Sequence, residues 1–228
     1  MWLMSSVRKI RFLNQQIYHV FNRGVERRNI FLSSRDRERL VQLLEYYRFA
    51  NIPKSYSHFL NLSIPERALY YDALHKHSLI IDILAYCLMP NHFHLLVRQQ
   101  RNHGVQEALS NISNGYAKYF NIKRTRVGPL FQGPFQAVRV ETEEQLLHVS
   151  RYIHLNPVVS GVVDTKELFA YPWSSLPVYV GGQSHEWVED KIVLSYFKNR
   201  AAYRVFVEDQ IAFGKELEKI KHLVLEEV

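Results

Sequence analysis

Apolar and polar side chains alternate along residues 15–22, which places Ile17, His19 and Phe21 on one face of a predicted strand. Arg23-Gly24 ends that pattern, since glycine accepts turn geometries that other residues resist. The period then changes: Leu40, Leu43, Leu44 and Tyr47 recur at helical spacing over about 35–49, behind Ser33 and Ser34, either of which can cap a helix. Residues 51–77, with Pro53, Pro65 and scattered serines, predict an irregular insert holding a short helix near 64–74. A continuous apolar strand follows over 78–89, Pro90-Asn91 interrupts it, and 92–97 form the next strand. Gly104 opens a helix over about 105–121 with Leu109, Ile112, Tyr116, Tyr119 and Phe120 as its apolar stripe. Residues 135–140 read as a strand, and Thr142-Glu-Glu-Gln145 has the form of a capping box starting a helix that Pro157 should end.

Strand geometry gives the central pair of strands its chemical interest. Side chains two apart leave the same face, so His92 and His94 project together while Phe93 and Leu95 go to the other side. Two imidazoles on one face are a ready pair of metal ligands, or simply the lining of a half-polar sheet face. A second His-x-His, His75-Lys76-His77, lies in a polar linker without strand flanks and is not read as a metal site. On the helix after Thr142, His148, Tyr152 and Asn156 follow one another at i, i+4 and i+8 and so share a face.

Charge changes the picture next. The formal net charge is +7, which points to a polyanionic partner. No acid occurs between Glu107 and Glu141, whereas Lys118, Lys123, Arg124, Arg126 and Arg139 do, interleaved with Tyr116, Tyr119, Phe120, Phe131 and Phe135. Arg23, Arg27 and Arg28 add to this near the first turn. Cations that track phosphates beside rings that stack on bases suit single-stranded nucleic acid; a solvated basic face over an ordinary core has the same pattern. Cys87 is the only cysteine, so neither a disulfide framework nor a cysteine zinc site is available. The first residues lack a secretion signal, and no apolar run approaches the ~18–20 residues of a membrane helix. A cytoplasmic protein without membrane partners is expected.

Several segments together resemble the single-tyrosine HUH transposases, and in particular the REP-associated tyrosine transposases. They are Tyr18-His-Val-Phe-Asn-Arg-Gly24, Met89-Pro-Asn-His-Phe-His-Leu-Leu-Val97, Gly128-Pro-Leu-Phe-Gln-Gly133, Arg151-Tyr-Ile-His-Leu-Asn-Pro157 and Tyr171-Pro-Trp-Ser-Ser175. Pro134 departs from the family, which usually continues with a basic residue there. The resemblance implies an α+β fold, an antiparallel sheet with packed helices of the ferredoxin-like or RRM-like kind. It would occupy residues 1–180, with the insert at 51–77 and a helical C-terminal extension over 181–228. It also implies a divalent cation, Mg²⁺ or Mn²⁺, held by His92, His94 and Asn156, with Tyr152 attacking DNA. Imidazole-plus-amide ligation does not by itself exclude zinc. The expected partner is single-stranded or hairpin DNA, contacted by Arg23, Arg27, Arg28, Lys118, Lys123, Arg124 and Arg126, and a homodimer is left open. A phenol ionises near pH 10, so such a nucleophile needs help from a cation or a base; His148 either assists that proton transfer or is merely solvated. A DNA-binding module without chemistry and a metal-dependent hydrolase using water are the competing classes.

Overall fold

The computed structural model describes residues 10–181 and 185–211, so the end of the expected C-terminal extension, residues 212–228, lies outside it. Four strands, β1 (Ile17–Arg23), β2 (Ile81–Met89), β3 (His92–Gln99) and β4 (Gln136–Val140), pair antiparallel in the order β2-β3-β1-β4. The helices are α1 (Ser34–Tyr46), α2 (Tyr56–Leu60), α3 (Ile64–Leu74), α4 (Gly104–Lys123), α5 (Glu143–Val159), α6 (Leu176–Tyr179), α7 (Lys191–Leu194) and α8 (Arg200–Glu208). With α1 and α4 as the crossovers, the chain runs β-α-β-β-α-β, the ferredoxin-like order. The expected α+β fold is the one observed.

The two faces of the sheet differ in what covers them. Tyr18, Val20, Phe93, Leu95 and Val97 are fully buried on one face, and Phe93 packs there on Phe131, which in turn meets Tyr116 of α4. The other face carries His19, Phe21, His92 and His94, aligned by the pairing of Phe21 with His94 and of Arg23 with His92. Paired residues share a face, so this register gathers the histidines under α5. The short insert helix α2 escaped the periodicity because five residues make less than two turns, too few for a pattern.

β2 is an edge strand, yet every one of its side chains is buried. The segment beyond α5 closes that edge: Leu88 N–H donates to the Trp173 carbonyl at 2.8 Å and Ser175 N–H to that of Tyr86 at 3.0 Å. Tyr171 and Tyr179 donate their hydroxyls to the carbonyls of Leu88 and Leu84, at 2.9 and 2.8 Å. Unpaired edge groups would otherwise offer a template for another chain. Ser175 also anchors α5, because its hydroxyl meets His154 Nε2 at 2.8 Å, while His154 Nδ1 meets Tyr203 Oη of α8 at 2.7 Å. Burial pushes His154 down to about 3, keeping it neutral between these two hydroxyls. Val193, Tyr203 and Val207, from the segment read as an extension, lie in the same buried cluster as the sheet.

Three local expectations change. α5 passes through Pro157 and ends at Val159. A proline in the last turn forfeits only its own hydrogen bond, and Ser160 N–H still reaches the Asn156 carbonyl at 3.0 Å. At the other end of α5, Thr142 Oγ1 accepts from Gln145 N–H at 3.1 Å, but the Gln145 side chain returns to Glu141 N–H at 2.8 Å. Gly24 has an ordinary φ of −62°. Glycine is needed there by space, since a Cβ would come within 2.3 Å of the Arg28 carbonyl oxygen.

The start of α1 holds a buried charge that bears on DNA binding. Asp36 is fully buried and accepts from Leu32 N–H at 3.0 Å and Tyr119 Oη at 3.1 Å, with Lys123 at 2.7 Å and Arg124 at 2.6 Å. Burial alone would raise its pKa, but the Lys123 and other hydrogen bonds outweigh that and hold the carboxyl below its usual range. Asp36→Ala should lower stability by about 3 kcal/mol, the lower end for breaking a buried pair, because both cations keep some solvent. Urea unfolding measures this, and a loss under about 1 kcal/mol would show that the network contributes little.

Candidate active site

The turn between β2 and β3 sets the first imidazole. Its Pro90 carbonyl accepts from Ile30 and Phe31 N–H at 2.9 and 3.1 Å, and Gly24 N–H donates to the Asn91 carbonyl at 2.8 Å. The Asn91 amide donates to the Arg27 carbonyl at 3.2 Å, and its Oδ1 meets His92 Nδ1 at 2.6 Å. The His92 ring is thereby oriented through Nδ1, leaving Nε2 as its second nitrogen. His94, only 7% exposed, meets His19 of β1 instead, Nδ1 to Nε2 at 2.9 Å. The His92 and His94 rings stand perpendicular with centroids 4.9 Å apart.

α5 supplies the rest. The Tyr152 ring lies edge-on to His94 at 5.5 Å and to His19 at 5.9 Å. It is 47% exposed, in contrast to the buried tyrosines of the core. Asn156, one turn further on and buried, donates Nδ2 to the Tyr152 carbonyl at 2.8 Å, and its side chain stands beside that of His92. Burial lowers His92 and His19 to about 4 each and His94 well below its usual value, the last helped by the neighbouring imidazoles. Neutral imidazoles keep a lone pair for ligation.

Arg23 and Arg27 face the same cleft, of about 500 Å³, and among the described residues no carboxylate lines it. Gln132, from the Gly128–Gly133 segment, lines it as well. Gln132 N–H donates to the Arg23 carbonyl at 2.8 Å, and Arg23 Nε donates to Gln132 Oε1 at 2.5 Å. Gly133, at φ +78°, offers its carbonyl to Asn22 Nδ2 at 3.2 Å.

The structure brings His92, His94, Tyr152, Asn156, Arg23 and Arg27 to one place, but not the other candidate cations. Arg28 lies 3.4 Å from Glu26. Lys123 and Arg124 are held by Asp36, and Arg126 donates to the Gly128 and Pro129 carbonyls, bracing its own loop. Lys118 is exposed on α4, beside a second groove with Arg39 and Tyr56. His148 turns away to Arg151, its Nδ1 accepting at 2.8 Å, and toward Glu144 at 3.7 Å. His75 and His77 meet backbone carbonyls of Tyr71 and Ala50 through Nδ1. Of the alternative tyrosines, Tyr116 is fully buried with its hydroxyl on the Ile30 carbonyl, and Tyr119 binds Asp36. Sequence reasoning missed His19, Asn91 and Gln132 as site residues; for His19 the signal was its place on the alternating face of β1.

Among the described residues, no group of three or more His, Cys, Asp or Glu side chains is arranged to hold a metal. The donors here are two imidazoles and an amide. They fit a divalent cation that retains open positions: each Nδ1 is engaged elsewhere, and the amide stands against His92.

Known proteins give the arrangement its context. No curated protein matches the chain. A solved structure described as a REP-associated tyrosine transposase bound to a REP hairpin shares the fold, with a TM-score of 0.52 at 16% identity over 82% of this chain and 98% of that one. At that identity the likeness speaks for the fold alone. None of the helices described is long and apolar enough to cross a membrane. The profile of the IS200-like transposases matches residues 43–156, from α1 through the histidine strand to Asn156. That match covers half of the chain, which belongs to the IS200-like transposase family.

Proposed function

We propose that the protein cuts and rejoins single-stranded or hairpin DNA with the aid of a divalent cation, through a 5′-phosphotyrosine formed on Tyr152. The observation that carries this reading is the convergence of Tyr152 and Asn156 of α5 on His92 and His94 of β3, beside two arginines. The neighbour's REP hairpin supports hairpin DNA as the substrate class.

In the proposed reaction, Arg23 and Arg27 draw the phosphate into a cleft that no carboxylate of the described residues lines. His92, His94 and Asn156 would hold Mg²⁺ or Mn²⁺, which withdraws charge from the phosphate oxygens and lowers the barrier to attack. The Tyr152 oxygen attacks phosphorus as its proton leaves, the bond to the 3′-oxygen breaks, and that oxygen takes up a proton. The strand is left with a 3′-hydroxyl, and the 5′ side stays on the tyrosine as a phosphodiester. Attack by a 3′-hydroxyl reverses the step and releases the phenol, so no nucleotide cofactor is consumed. Incubation with the hairpin repeats flanking the protein's own gene should therefore yield a denaturation-resistant protein–DNA adduct that chelator prevents. Cleavage without an adduct would instead indicate water as nucleophile.

Binding affinity should depend on salt. Five phosphate-neutralising cations would give a slope of log K against log salt of about −3.5 on single strands. With Lys123 and Arg124 already paired to Asp36, Arg23, Arg27 and Lys118 leave a slope of about −2. A slope near zero, or a preference for fully paired duplex, would remove these residues from DNA binding.

A further inference from the structure

We infer that His19 is a positioning residue for the cation site: it holds His94 in the one neutral tautomer that presents Nε2 to a metal. The inference rests on the proposed role of His94 as a ligand. His19 comes from β1, a different strand, and lies outside the matched region. Its ring stacks on His94 with centroids 5.1 Å apart and 25° between planes, and its Nε2 stands 2.9 Å from His94 Nδ1. Phe21, 5.2 Å from His19 and 5.8 Å from His94, packs beside both rings.

Two neutral imidazoles in this contact share a single proton between the facing nitrogens, which leaves two arrangements. If His19 donates from Nε2, His94 Nδ1 is the acceptor and the His94 proton sits on Nε2. That arrangement blocks the nitrogen a cation would need. If His94 donates from Nδ1, its Nε2 keeps a lone pair, and His19 accepts while carrying its own proton on Nδ1. Only the second is compatible with ligation. His92 is set the same way by Asn91 Oδ1, an amide oxygen that can only accept, so both imidazoles are oriented through Nδ1 by a partner outside the donor set. A second imidazole in the partner role is less usual than a carboxylate, and it adds no negative charge to the cleft where the phosphate enters.

The test uses the full chain without DNA. Mn²⁺ affinity is measured by electron paramagnetic resonance for the wild type, His19→Phe and His19→Gln, with circular dichroism reporting the fold. Histidine tautomers are read from long-range ¹H–¹⁵N spectra of the metal-free wild type. His19→Phe should weaken Mn²⁺ binding about 10- to 100-fold, as loss of an orienting partner does. His19→Gln, whose amide oxygen can accept from Nδ1–H, should restore most of the affinity. His94 should carry its proton on Nδ1. Wild-type affinity in His19→Phe, failure of His19→Gln to restore binding, or a His94 proton on Nε2 would each overturn the inference. Should His19→Phe not fold, the wild-type tautomer and His19→Gln still decide. A wild type that binds no Mn²⁺ would overturn the metal-site reading itself, an outcome distinct from these.

Discussion

Tyr152→Phe should abolish the covalent protein–DNA adduct while leaving the fold and hairpin affinity intact. The substitution removes one oxygen from a half-exposed ring and keeps the edge-on contacts with His94 and His19. Phenylalanine has no group to form an ester with phosphorus, so the expected loss is complete, to the detection limit of a denaturing gel. The same change at Tyr116 tests the alternative. Its hydroxyl is buried on the Ile30 carbonyl, and burial raises its pKa far above that of a free phenol. Tyr116→Phe should lower stability by about 1 kcal/mol and leave the adduct in place. An adduct that survives at Tyr152→Phe and disappears at Tyr116→Phe or Tyr119→Phe would move the nucleophile to α4.

His92→Ala and His94→Ala should each reduce cleavage by about 10³-fold or more, the several kcal/mol that charge withdrawal from a phosphate supplies. Hairpin binding in chelator should fall by less than about tenfold, because Arg23, Arg27 and Lys118 provide the phosphate contacts. His94 calls for one control. Its side chain is 7% exposed, so alanine leaves a cavity between β3 and α5. His94→Gln keeps more of that volume and separates lost ligation from lost packing. Full cleavage by the double alanine variant in the presence of chelator would remove the metal from the mechanism.

The parts of this arrangement that were legible in the sequence are those written in local periodicity. Alternation around Phe93 predicted that His92 and His94 would leave one face, and four-residue spacing predicted that Tyr152 and Asn156 would share another. Both follow from the backbone repeat of a single element. What stayed hidden depends on pairing between distant elements. A histidine in an alternating strand has no distinguishing mark until the register sets Phe21 against His94 and brings His19 over the same ring. The fate of the basic residues was hidden for the same reason. Lys123 and Arg124 read as free cations because their partner, Asp36, is 87 and 88 residues away in the chain. Pro157 misled by its type alone, since its consequence depends on how many helical hydrogen bonds remain to be lost.

The wild-type protein is incubated with hairpin DNA and Mn²⁺, the adduct is digested with trypsin and nuclease, and the modified residue is located by mass spectrometry. Cleavage after Arg151 makes Tyr152 the first residue of a peptide that ends at Lys166 and contains no other tyrosine. The expected result is a nucleotide 5′-phosphate on Tyr152 in that peptide. A nucleotide on any other residue, or DNA cut with no peptide modified, would contradict it.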